Sequence, residues 1–134
     1  MLSNAGTPLI SDPGGKLIKR CQKSGIKYTA VPGPCALINA LVLSGLPPGR
    51  FSFLGFLPKK SQERKKVLRR FKAVEGSKVV YEAPRRVKEL VTDIKEIYGQ
   101  KTEIRICREM TKKFEEVSLG LNQEVRGEVT VVFI

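Results

Sequence analysis

Four short stretches hold the residues whose types and spacing could do chemistry. Ser3-Asn4-Ala5-Gly6-Thr7-Pro8 runs into Ser11-Asp12-Pro13-Gly14. Small residues and a glycine between a strand end and a helix start let backbone amides approach a ligand closely. Neither GxGxxG nor GxxxxGK[ST] is present, so the loop is neither a dinucleotide fingerprint nor a P-loop, and an ordinary tight turn is the alternative. Pro32-Gly33-Pro34-Cys35-Ala36 is a second bend, following an expected strand, where open α/β sheets bind ligands. A helix N-terminus favours the thiolate of Cys35. With no histidine to act as its base, however, a small buried residue is the simpler reading. In Tyr81-Glu82-Ala83-Pro84-Arg85-Arg86, Glu82 could bind a ribose, abstract a proton, or only pair with an arginine. Arg108 to Glu116 places six ionisable groups in nine residues, as a charged connection between strands.

The 134 residues include 25 basic and 13 acidic side chains, a net charge of +12, and neither histidine nor tryptophan. At 41% hydrophobic and 28% charged, this is the composition of a soluble globular protein. No apolar run approaches the ~20 residues that cross a bilayer. Met1-Leu2-Ser3-Asn4 lacks the order of a secretory signal, so a cytoplasmic location is expected. Cys21, Cys35 and Cys107 form no CxxC pair, and without histidine no metal site is expected. Histidine-based triads are excluded. Lys59, Lys60, Arg64, Lys65, Lys66, Arg69, Arg70 and Lys72 face a single Glu63, a field that captures polyanions. A solvated helix face is the plainer alternative.

These residues must be held by regular elements. Ser11-Asp12-Pro13 starts a helix that Gly25 ends, Ile26–Val31 reads as a strand, and residues 36–43 read as a helix apolar nearly all round and therefore buried. Gly45, Pro47, Pro48 and Gly49 look like a linker. Beyond it come a strand at Phe51–Phe56, a basic helix from Ser61 with Val67, Leu68 and Phe71 inward, and a strand at Lys78–Glu82. A helix opens at Pro84 and closes at Gly99, and strands follow at Glu103–Arg108, Glu115–Leu119 and Glu128–Ile134. The order indicates two α/β units, residues 1–49 and 50–134, the first incomplete, with Leu2-Ser3 as the tail of a strand and the missing strands expected either upstream or from a partner chain.

The four stretches, with Ser44-Gly45-Leu46-Pro47 and Phe53-Leu54-Gly55-Phe56-Leu57-Pro58, resemble in order and spacing the ribosomal RNA small subunit methyltransferase I family. That family lies within the tetrapyrrole (corrin/porphyrin) methylase superfamily, and the chain resembles its middle-to-C-terminal portion. Asn4 stands where the family usually has Asp, Cys35 where it has Ser, and Arg85 where it has His; the segment between Gly120 and Gly127 is shorter. The resemblance implies a homodimer that binds S-adenosyl-L-methionine and methylates a cytidine ribose 2′-hydroxyl in small-subunit rRNA. By position, Gly6, Thr7 and Ile10 fall on the first cofactor loop, and Gly33, Cys35 and Ala36 on the second bend. Tyr81, Met110 and Thr130 fall on the adenine side. A ribose hydroxyl needs help to lose its proton, and Glu82, Glu109 and Lys112 are the candidates, with Glu82 and Lys112 preferred. The cations of 59–72, with Arg85 and Arg86, are expected to contact phosphates. Tetrapyrrole methylation, or RNA binding without catalysis, are the rival readings.

Overall fold

The computed structural model describes residues 3, 6–121 and 125–134, and the chain divides into two compact units, Met1–Cys35 and Ala36–Ile134. In the first unit, helix α1 spans Gly15–Lys23 and buries none of its residues. It ends in paired bonds, Ile26 N–H donating to Cys21 O (3.0 Å) and Gly25 N–H to Gln22 O (3.3 Å), which satisfy two otherwise orphaned carbonyls. The strand expected at Ile26–Val31 does not form. Its residues are all exposed and join no ladder, because an extended segment becomes a strand only beside another edge.

The second unit contains α2 (Ala36–Ser44), β1 (Phe51–Phe56), α3 (Ser61–Lys72), β2 (Ser77–Glu82), a 3₁₀ turn at Pro84–Arg86, α4 (Val87–Tyr98), β3 (Ile104–Arg108), β4 (Glu116–Leu119) and β5 (Val129–Phe133). Its five-stranded sheet has the order β1-β2-β5-β3-β4. β1 and β2 are parallel, and β5 runs antiparallel to both β2 and β3. β1, β2 and β3 therefore point the same way, and their carboxyl ends share one edge.

Alternation along the strands sorts the two faces. Val80, Val131 and Ile106 join Leu68, Leu90 and Ile94 in the core beneath α3 and α4. Tyr81, Thr130 and Cys107 lie opposite one another across β2, β5 and β3 and face α2, where Cys107 Sγ is 3.8 Å from Ala40 O. α2 is only half buried: Leu37, Ala40, Leu41 and Ser44 face inward, whereas Ile38, Val42 and Leu43 are exposed. One sheet face covers one side of a helix, so all-round apolarity does not guarantee all-round burial. The expected linker is packed too. Leu46 is buried, and Ser77 Oγ donates to Pro47 O at 2.8 Å.

Candidate functional site

Within the first unit, the two glycine-bearing bends meet. Thr7 N–H donates to Pro34 O at 2.8 Å, and Thr7 Oγ1 lies 3.1 Å from Gly33 O and 3.2 Å from Pro34 O. Gly6 has a φ of +73°, and a Cβ there would stand 2.7 Å from Pro34 O, so the approach requires glycine. Asn4 and Ala5 of the first loop lie outside the described residues. Thr7 and Cys35 are half-buried; Ile10 and Gly33 are exposed. Leu9 and Ser11 hold positive φ of 75° and 65°, conformations that L-residues avoid and that cluster at functional loops.

In the second unit, the remaining candidates collect at the carboxyl edge of β1, β2 and β3. Tyr81 Oη accepts the Leu37 N–H at 3.0 Å, tying the start of α2, and hence exposed Ala36, to β2. Thr130 is buried opposite Tyr81. Met110 follows Glu109 in the loop after β3 and is half-buried.

Glu82 and Lys112, the preferred bases, are both held in ion pairs. The Glu82 side chain has no exposed surface and is bound by Arg86 and by the Ala83 N–H (2.7 Å). Both contacts use Oε1, and the buried Oε2 has no hydrogen-bond partner among the described residues. Lys112 Nζ contacts Glu128 at 2.8 Å and Glu109 at 3.2 Å. The Glu128 hydrogen bond first, then that of Glu109, raises the ammonium pKa, which favours the charged form. The Glu109 carboxyl is held below its usual range, chiefly by the Glu128 N–H that it accepts at 2.8 Å.

The basic helix divides as well. Arg64 is buried, its Nε 2.6 Å from Asp93, and Lys65 is occupied by Glu96 and Asp93. Both cations are thus paired with carboxylates, and Arg86 pairs with Glu82. Lys59, Lys60, Lys66, Arg69, Arg70 and Arg85 are exposed, and no carboxylate among the described residues pairs with them. Among the described residues, no cluster of three or more cysteines and carboxylates is placed to hold a metal ion, and no helix is long and apolar enough to cross a membrane.

The family model described as Tetrapyrrole (Corrin/Porphyrin) Methylases matches residues 1–125. This chain belongs to that family. Among the tetrapyrrole methylase relatives, "Ribosomal RNA small subunit methyltransferase I" of Vibrio cholerae is 46% identical over 117 residues, covering 87% of this chain and 41% of that protein. The protein of the same name in Mycobacterium tuberculosis is 41% identical over 140 residues, covering 98% and 49%. The chain thus spans less than half the length of these relatives. Two solved structures are similar at the level of fold. The methyltransferase CobJ has a TM-score of 0.70 at 16% identity, covering 96% of this chain and 61% of its own. A Thermus thermophilus uroporphyrin-III C-methyltransferase, complexed with S-adenyl homocysteine, has 0.63 at 18%, covering 96% and 62%.

In this methylase chain, sequence reasoning passed over Asp93. It stands in phase with Leu90, Ile94 and Ile97 on the buried face of α4. An acid in an apolar stripe requires a buried cation, and Arg64, in phase with Leu68, answers it. That phase relation was the available signal.

Proposed function

We propose that the protein containing this chain is an S-adenosyl-L-methionine-dependent methyltransferase acting on the ribose 2′-hydroxyl of a cytidine in small-subunit rRNA. Family membership and the names of the relatives support the reaction class. The observation that carries RNA over a tetrapyrrole is the exposed set Lys59, Lys60, Lys66, Arg69, Arg70 and Arg85, free of carboxylate partners among the described residues. A single macrocycle needs no such field, whereas a phosphate backbone does.

Bound S-adenosylmethionine supplies an electrophilic methyl group. The first unit's residues fit it: the joined bends at Gly6–Thr7 and Gly33–Cys35 bring small residues and neutral polar groups together, suited to a zwitterionic nucleoside. Fixing donor and acceptor in line supplies much of the rate. Lys112, kept protonated by Glu128 and Glu109, stabilises negative charge developing on the attacking oxygen instead of accepting its proton. By the division that the resemblance implies, residues 1–49 are assigned to the cofactor-binding N-terminal methylase domain, although α2 packs on the sheet of the second unit, and residues 50–134 to the C-terminal one, in a cytoplasmic homodimer.

Transfer of labelled methyl from S-adenosylmethionine tests the reading directly. Incorporation into small-subunit rRNA, and none into a tetrapyrrole, is expected; the reverse pattern overturns it. Cofactor binding by calorimetry without transfer to either substrate would favour a binding role alone.

A further inference from the structure

We infer that Phe56, with Lys59 and Lys60, forms a stacking site for an unpaired nucleobase of an RNA strand. The inference rests on the RNA reading above. β1 is an edge strand whose register breaks between Phe53 and Phe56, where Gly55 takes a φ of +62°. A bulge of this kind re-aims the following side chain. It brings Phe56 opposite Tyr81, with ring centroids 5.7 Å apart and planes at 62°, and Phe53 meets the same Tyr81 ring at 4.8 Å and 66°. Phe56 is therefore held in place, yet 60% of its surface is exposed.

An ordered aromatic ring left open to solvent offers a flat face for stacking. The chain next to it specifies the partner's charge. Leu57 is buried and anchors the turn, and Lys59 and Lys60 follow, both exposed. Buried Arg64 clamps this turn from beneath, its Nη1 lying 3.1 Å from Lys59 O and 3.4 Å from Pro58 O while its Nε is fixed on Asp93. Arg64 is thus a positioning residue for the two lysines. Aromatic rings beside lysines are how proteins hold single-stranded nucleic acid, the ring taking a base and the cations its phosphates.

The chain has no tryptophan, so Phe56→Trp creates a single reporter at the site. On adding oligocytidylate, its emission should be quenched, and an abasic ribose-phosphate strand of equal length should leave it unchanged. Phe56→Ala should weaken oligocytidylate binding, read by fluorescence anisotropy, by roughly tenfold while preserving the salt slope and the affinity for the abasic strand. Lys59→Ala with Lys60→Ala should lower the slope on both strands. If Phe56→Trp binds RNA with unaltered emission, or Phe56→Ala binds oligocytidylate as the parent does, the stacking site is wrong and the RNA reading stands. If Phe56→Ala changes only self-association in sedimentation, Phe56 belongs to a copy-to-copy interface and the inference fails. If the parent chain shows no salt-dependent RNA binding, the RNA reading fails first and the stacking site with it.

Discussion

Arg64 Nε lies 2.6 Å from Asp93 Oδ2, and both side chains are buried, so α3 and α4 are joined by an ion pair inside the second unit. Ser61 Oγ adds a hydrogen bond to the same carboxylate at 3.0 Å. Asp93→Ala leaves the buried guanidinium only the longer contact with exposed Glu89 at 3.6 Å, and a loss of about 3–5 kcal/mol in urea unfolding is expected. Replacing both residues with apolar ones of similar volume should restore most of it, because the desolvation cost of both charges then disappears. A loss within the error of the measurement for the single variant would show that water reaches the pair.

The exposed and buried cations of α3 should separate by salt dependence. Lys66→Ala, Arg69→Ala and Arg70→Ala together should reduce the slope of log affinity for single-stranded RNA against log salt by about 2, at ~0.7 per phosphate contact. Arg64→Met should leave the contribution of those three intact, since its guanidinium faces Asp93. An unchanged slope in the triple variant removes the outer face of α3 from the RNA contact.

The bend at Gly6 should tolerate no side chain. With φ at +73° and Pro34 O in the path of a Cβ, Gly6→Ala imposes about 1–3 kcal/mol of strain on the joined loops. Affinity for S-adenosylmethionine, measured by calorimetry, should fall roughly tenfold or more if that strain opposes the binding arrangement. Gly33→Ala should be milder, because its Cβ would meet Thr7 Oγ1 at 3.3 Å rather than a backbone atom. Gly33→Val adds branches that disturb the bond of Thr7 to Gly33 O and should resemble Gly6→Ala.

The Glu109–Lys112–Glu128 network sets a pH window. Glu109 has a folded pKa below its ordinary 4.5, so its stabilisation is present above that value and lost as pH falls through the folded one. Lys112 has a folded pKa above its ordinary 10.5, so its stabilisation is complete below 10.5 and lost as pH rises through the folded value. Melting temperatures should therefore be level across neutral pH with respect to this network. Glu109→Gln should flatten the acid limb and Lys112→Met the alkaline one; limbs identical to the parent's would disconnect the network from stability.

Cys107 should be chemically silent. Burial, and secondarily the charge of Glu115, pushes its thiol up to about 11, so almost no thiolate exists near neutral pH. Cys21 and Cys35 are half-buried. Titration with a disulfide reagent should show two accessible thiols in the native chain and a third only on unfolding. Rapid reaction of all three would contradict the packing of Cys107 against α2.

Much of the second unit was legible in the sequence because its signals are local. The aromatic run of Phe51–Phe56, the helical spacing from Val87 to Tyr98 and the stops at Gly45 and Gly99 depend on neighbours a few residues away. The motifs fixed the methylase family in the same manner, by type and order alone. The reading failed wherever the deciding partner was distant in the chain. Ile26–Val31 has strand composition, but composition cannot supply the adjacent edge that makes a strand. Nor can the apolar circumference of α2 say that only one side meets the sheet.

The site divides along the same line. The sequence by itself determined which residues could take part, through glycines at the bends, a surplus of cations and the absence of histidine. Only the tertiary structure decided what each is free to do. It spent Glu82 on Arg86, Arg64 on Asp93 and Lys112 on two carboxylates, and it left Phe56, Lys59 and Lys60 open. The reason is electrostatic and steric: a charge takes its role from the nearest opposite charge and from its distance to water, and residues far apart in the chain set both.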